Sequence, residues 1–157
     1  MTVTGESQGK IIGSSNVTGV DDGTIEFFSF EHAVEMSRNK ETGLPVGRRV
    51  HLDISIKKEI DKSTPKLHKA LCDSERLTEV LFLWYRPSGN SKTRENFFSI
   101  RLENALITRI QLDAPDRIDS CSQNLFFFEN ISFAYEKITW TWEDDGSSHF
   151  DSWLSPE

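Results

Sequence analysis

EIDKSTPKLHKAL, residues 59–71, is the stretch that decides the architecture of this chain. It carries the end of a strand and then the best-signalled helix of the sequence. Thr64 offers a side-chain oxygen to a backbone N–H at the N-cap, and Pro65 suits the first helical position, where the donor it lacks would be unpaired anyway. Leu67, Ala70 and Leu71 fall on one face, and Asp73 and Ser74 end the helix. About two turns of helix do not persist alone in water. Thr64, Pro65, Leu67, Ala70 and Leu71 are therefore expected to seat it against a sheet.

Outward from this stretch the pattern is that of strands. Upstream, Val50, Leu52, Ile54 and Ile56 alternate with His51, Asp53, Ser55 and Lys57, and Lys57 with Lys58 reads as a solvated strand end. Within residues 24–36, Phe28, Phe30, His32, Val34 and Met36 alternate with Ser29, Glu31, Ala33 and Glu35, a second half-buried strand. Between the two, residues 37–47 (SRNKETGLPVG) hold breakers and charges without periodicity, which predicts a long exposed loop.

Downstream, VLFLWY at 80–85 is apolar on both faces and predicts a strand covered on both sides. Phe98, Ile100 and Leu102 begin another that runs on through residues 107–112, and residues 114–123 read as a polar loop. In a last long strand Ile131, Phe133 and Tyr135 share one face while Ile138, Trp140 and Trp142 have the opposite parity. The apolar side flips near Glu136, as at a bulge or where a strand leaves the core. Six or more strands and one short helix predict a mainly β fold, a small antiparallel β-barrel of two packed sheets with one flanking α-helix. The 157 residues fit one domain, 1–157, able to bury roughly 70% of its unfolded surface.

Composition narrows function by exclusion. A net charge of −7 argues against a nucleic-acid binder, which needs a clustered basic surface. No apolar run approaches the ~18 residues of a membrane span, and no secretory leader is evident. Cys72 and Cys121 read as two thiols, without a CxxC or a Cys/His ligand spacing. His32, His51, His68 and His149 never fall at a metal-binding spacing. His68 with Cys72, and His51 oriented by Asp53, are the nearest approaches to catalytic pairs, and neither has the surrounding signature of a nucleophile. Glu143, Asp144 and Asp145 before Gly146 lack a calcium-loop spacing and read as a hairpin turn. Trp140, Trp142 and Trp153 could stack on sugars, which keeps a small carbohydrate-binding or hydrolytic β-barrel as an alternative, although core or interface packing is the ordinary role of such rings. No cofactor, metal or catalytic residue is expected.

Several pieces, taken in order, resemble the Hcp family, the tube-forming protein of the bacterial type VI secretion system. They are Gln8-Gly9, Phe30-Glu31-His32, Thr42-Gly43, Gly47-Arg48-Arg49-Val50-His51, residues 59–71, Trp84-Tyr85-Arg86, Phe97-Phe98, Leu102-Glu103-Asn104-Ala105, YEKITW at 135–140 and Asp151-Ser152-Trp153. The resemblance implies a phage tail-tube-like β-barrel whose function is self-assembly. Its subunits would form homohexameric rings that stack into a tube inside a contractile sheath, carry a VgrG-type spike, and pass or stabilise secreted effector proteins in the lumen. It implies a start in the bacterial cytoplasm and export through the type VI apparatus without a cleaved signal, with no fused effector domain. By position it assigns ring stacking to Ser37, Arg38, Asn39, Lys40, Glu41, Thr42, Gly43, Leu44, Pro45 and Val46. A phage tail-tube protein would share fold and ring.

Overall fold

The computed structural model describes residues 1–17, 20, 22–89, 94–114 and 127–153. In chain order the elements are β1 (Thr2–Gly5), β2 (Gly9–Ile11), β3 (Ser29–Glu31), β4 (Val34–Arg38), β5 (Pro45–His51), β6 (Ile54–Glu59), α1 (Thr64–Cys72), β7 (Leu77–Pro87), β8 (Arg94–Asp113), β9 (Phe128–Ala134), β10 (Lys137–Trp142) and β11 (Ser147–Ser152). Most of the predicted polar loop at 114–123, together with Cys121 and the turn residues Asn90 and Ser91, lies outside the described residues.

β8 organises the fold. Its first half pairs with β7 on one edge and β10 on the other, and from Leu106 onward it pairs with β9. One 20-residue strand thus belongs to two sheets, β2-β1-β7-β8-β10-β11 and β8-β9-β6-β3. The corner falls at Asn104, whose φ of 53° is left-handed and whose side-chain amide donates to Glu136 at 2.9 Å. Asparagine enters this region more readily than most residues because its short polar side chain bonds locally.

The two sheets face each other across one core. Val80 and Phe82 of β7, Ile100 and Leu102 of β8, Ile54 and Ile56 of β6, and Ile131 and Phe133 of β9 are all buried at alternate positions. Phe82 and Phe133 meet edge to face across the gap, with ring centroids 6.0 Å apart. The mainly β fold of two sheets with one short helix is as expected. Among the described residues the ladder ends at β2, β3 and β11, so the sheets form an open sandwich rather than a closed barrel.

The structure corrects several local expectations, each where the chain changes pairing partner. Residues 50–57 are not one strand. β5 ends at His51, which is 5% exposed, whereas Val50 and Leu52 lie outside, and the chain turns at Leu52 as its N–H donates to the Ala33 carbonyl at 3.0 Å. Residues 24–36 also break, into β3 on the sandwich and β4, whose side chains are exposed on both faces. The flip near Glu136 is a change of sheet, because β9 joins β6 and β8 while β10 joins β8 and β11. Lys58 is not solvated. It points inward after Ile54 and Ile56 and is fully buried.

That burial reshapes the helix start. Thr64 is the first helical residue and Ser63 occupies the N-cap position without a side-chain cap bond. The Thr64 hydroxyl donates to Glu129 Oε1 at 2.7 Å, and Asp61 accepts the Ser63 N–H at 2.9 Å. A hydroxyl drawn into a buried ion cluster is not available to the helix. Thr64, Leu67 and Ala70 are buried and Leu71 is half-buried against the core, whereas Pro65 is exposed. The helix ends as expected at Asp73 and Ser74. Ser74 has φ 51°, its N–H donates to the Leu71 carbonyl and that of Glu75 to Ala70, a paired closure of the last turn.

Candidate functional site

The β4–β5 hairpin forms a two-stranded sheet of its own, apart from the two sheets that share β8. The long loop expected at 37–47 is therefore exposed but ordered. Ser37 and Arg38 end β4, Asn39, Lys40, Glu41, Thr42, Gly43 and Leu44 make the turn, and Pro45 and Val46 open β5. The alternation that betrays a strand was missing because both faces meet solvent.

Its tip is organised by Asn39. The Asn39 Oδ1 accepts the Glu41 N–H at 2.8 Å and the Thr42 N–H at 3.3 Å, while its backbone bonds Gly43 and Leu44. Gly43, at φ 71°, supplies the left-handed step of the turn. Every side chain from 34 to 48 is exposed. Among them are Val34, Met36, Leu44 at 65% and Val46, with Val50 beside them. Within residues 34–51 Arg38, Lys40, Arg48 and Arg49 outnumber Glu35 and Glu41, so a cationic element projects from a chain of net charge −7.

A dense polar and aromatic cluster ties the hairpin down at its base. Tyr135 Oη lies 2.7 Å from His32 Nε2 and 2.9 Å from His51 Nδ1. His51 Nε2 is 2.8 Å from Asp151 Oδ2, and Asp151 also takes a two-pronged ion pair from Arg49. Trp140 lies against both imidazoles, Trp153 packs beside His51, and His149 stacks flat on Trp140 at 6.0 Å. Hydrogen bonding to Arg49, then to His51, holds the Asp151 carboxyl well below the usual carboxylate range against the opposing effect of its burial. Burial, with the charges of Asp151 and Asp53, raises the Tyr135 phenol, so Tyr135 keeps its proton. Burial first, then proximity to His51, lowers His32.

The other sequence candidates are dispersed. Asp53 does not orient His51. It accepts the Thr108 hydroxyl at 2.7 Å, and the His51 partner is Asp151, about a hundred residues away in sequence. His68 Nδ1 lies 3.0 Å from the Thr64 carbonyl, and Cys72 is exposed. Glu143, Asp144 and Asp145 form the β10–β11 turn, where Asp144 pairs with Arg86 at 2.8 Å and Asp145 accepts the Ser147 N–H. Among the described residues no three His, Cys, Asp or Glu side chains group as metal ligands. Trp140 packs on the core, while Trp142 and Trp153 remain exposed. Asp151 and Tyr135 were the residues that spacing could not find, although both sit in pieces that mark the family resemblance.

Comparison with known proteins gives a consistent result. The family described as Type VI secretion system effector, Hcp, matches residues 1–142. The Major exported protein of Pseudomonas aeruginosa is 37% identical, with 99% of this chain and 95% of that protein covered. Among solved structures, a mutant Hcp1 from the E. coli EAEC 042 pathovar superposes with a TM-score of 0.84 at 29% identity, covering 98% of this chain and 96% of that one. Secreted protein Hcp3 from Pseudomonas aeruginosa gives 0.74 at 31%, covering 97% and 96%.

Proposed function

Because this chain belongs to the Hcp family of type VI secretion tube proteins, we propose that it acts as a subunit of the inner tube, forming hexameric rings that stack head to tail. The rings sit within the contractile sheath, carry a VgrG-type spike, and pass or stabilise effectors in their lumen. The protein is made in the cytoplasm and leaves through the same apparatus. The observation that carries this reading is the hairpin. It projects away from the sandwich with Met36, Leu44 and Val46 each about half or more exposed, an arrangement that has no use in a monomer. A hairpin of one copy meeting a different surface of the next is a heterologous contact, and such contacts close into rings or extend into tubes. The ten positions 37–46 are the stacking surface in this reading.

Light scattering and negative-stain microscopy of the purified protein test it. Rings, and stacks that disappear on Leu44→Asp without loss of thermal stability, are the expected result. A monomer at every concentration overturns the proposal.

A further inference from the structure

We propose that the chain His32–Tyr135–His51–Asp151–Arg49 is a latch that sets the direction of the β4–β5 hairpin, and with it the competence of this subunit to engage a neighbouring copy. The inference rests on the assembly reading above and adds its regulation. An isolated two-stranded hairpin is marginally stable in water. This one is anchored to the sandwich by side chains at its base, and the anchor runs through Asp151 of β11.

The hydrogen positions along the chain follow from its acceptors. Asp151, ionised, only accepts, so His51 Nε2 carries a proton. In neutral His51 the Nδ1 then accepts from the Tyr135 hydroxyl, and Tyr135 Oη in turn accepts from His32 Nε2–H. One added proton is tolerated. On His32 it occupies the other ring nitrogen, and on His51 it reverses the Tyr135 hydroxyl toward His32 Nε2, the His32 proton then sitting on Nδ1. With both imidazoles protonated, two N–H groups point at Tyr135 Oη and its own proton has no acceptor, while two like charges lie with ring centroids 6.4 Å apart.

The charged and titratable groups facing the cluster are His32 from the β3–β4 link, Arg49 and His51 from β5, Asp53 beyond it, Tyr135 after β9, and His149 and Asp151 from β11. Asp151 is already engaged by Arg49 and His51, and Asp53 accepts the Thr108 hydroxyl, so neither carboxylate takes a further hydrogen bond from the second proton. Because burial, then the nearness of His51, holds His32 below its ordinary value, the latch stays closed at neutral pH and opens only on acidification.

Hydrogen exchange of the full-length protein, corrected for intrinsic rates, from about pH 7.5 to about pH 5, tests this alongside light scattering. Asp151→Asn is expected to speed exchange across residues 34–51 by about tenfold or more, leave β7 and β8 unchanged, and abolish assembly. Tyr135→Phe retains the ring but is expected to remove the acid step seen in the wild type. Equal hairpin exchange in wild type and Asp151→Asn, or a wild-type profile flat with pH, overturns the latch. A loosened hairpin that still assembles overturns its link to assembly and leaves the tube reading standing, whereas a monomeric wild type overturns the tube reading while exchange still reports on the latch.

Discussion

Lys58 and Glu129 stand directly opposite each other on β6 and β9, and their side chains meet at 2.6 Å beneath α1, both entirely shielded from solvent. Lys58 also donates to Asp61 at 2.9 Å and to the Glu59 carbonyl at 2.7 Å, so the ammonium is fully used. The helix start and the sheet are joined by this cluster rather than by apolar contact alone.

Removing Lys58 strands the buried Glu129 carboxylate, whereas removing Glu129 leaves Lys58 with Asp61 as its remaining anion. Lys58→Met is expected to destabilise the fold by ~3–5 kcal/mol, Glu129→Leu by less, and the paired replacement of both to cost less than Lys58→Met alone. Urea unfolding of the three variants measures it, and equal losses in single and double variants would rule out the charge argument.

Asn104 turns β8 from one sheet to the other in a left-handed conformation. Asn104→Ala, which keeps a Cβ and loses the bond to Glu136, is expected to cost ~1–2 kcal/mol. Asn104→Gly removes the backbone penalty while losing the same bond, and should fall between Ala and wild type in a thermal melt.

Ser74 closes the helix at φ 51°, a position usually given to glycine. Ser74→Gly should therefore stabilise the protein, by ~0.5–1 kcal/mol, read as a rise of a few degrees in Tm for a domain of this size. A lowered Tm would mean that the serine makes an unseen compensating contact.

Glu75 follows immediately and is buried under the β1–β2 turn, where it accepts the Ser7 and Gln8 N–H groups at 2.8 and 2.9 Å and the Gln8 amide at 2.7 Å. Burial alone would raise its carboxyl, but the donors of Gln8 and Ser7 together hold it below the ordinary value. The folded state thus prefers the ionised form. The stability this confers is fully present above about pH 4.5 and is lost as pH falls below it. Glu75→Gln should lower stability at neutral pH and flatten the acid limb of a stability profile, and an unchanged acid limb would assign that limb to other carboxylates.

Gly5 explains why this carboxylate sits so close. A Cβ built there would lie 2.4 Å from Glu75 Oε1, so the turn admits the side chain only because position 5 has none.

The sequence by itself determined the strands whose one face is buried, and the short helix that carries Leu67 and Ala70 with its end at Asp73 and Ser74. Those readings depend on local parity and on residue chemistry, which the order of residues carries directly. Tertiary structure alone decided the pairing, since His51 and Asn104 mark changes of partner that leave no regular trace in hydrophobic period, and the parity flip near Glu136 does not say which strands the chain joins next. It also decided the fate of the charges. Lys58 looked like a solvated strand end until Glu129 was placed opposite it, and His51 was read beside Asp53 until the fold brought Asp151 and Tyr135 to it from distant parts of the chain. A charge is stable in an interior only beside its partner, and partners this far apart in sequence are brought together only by the sheet.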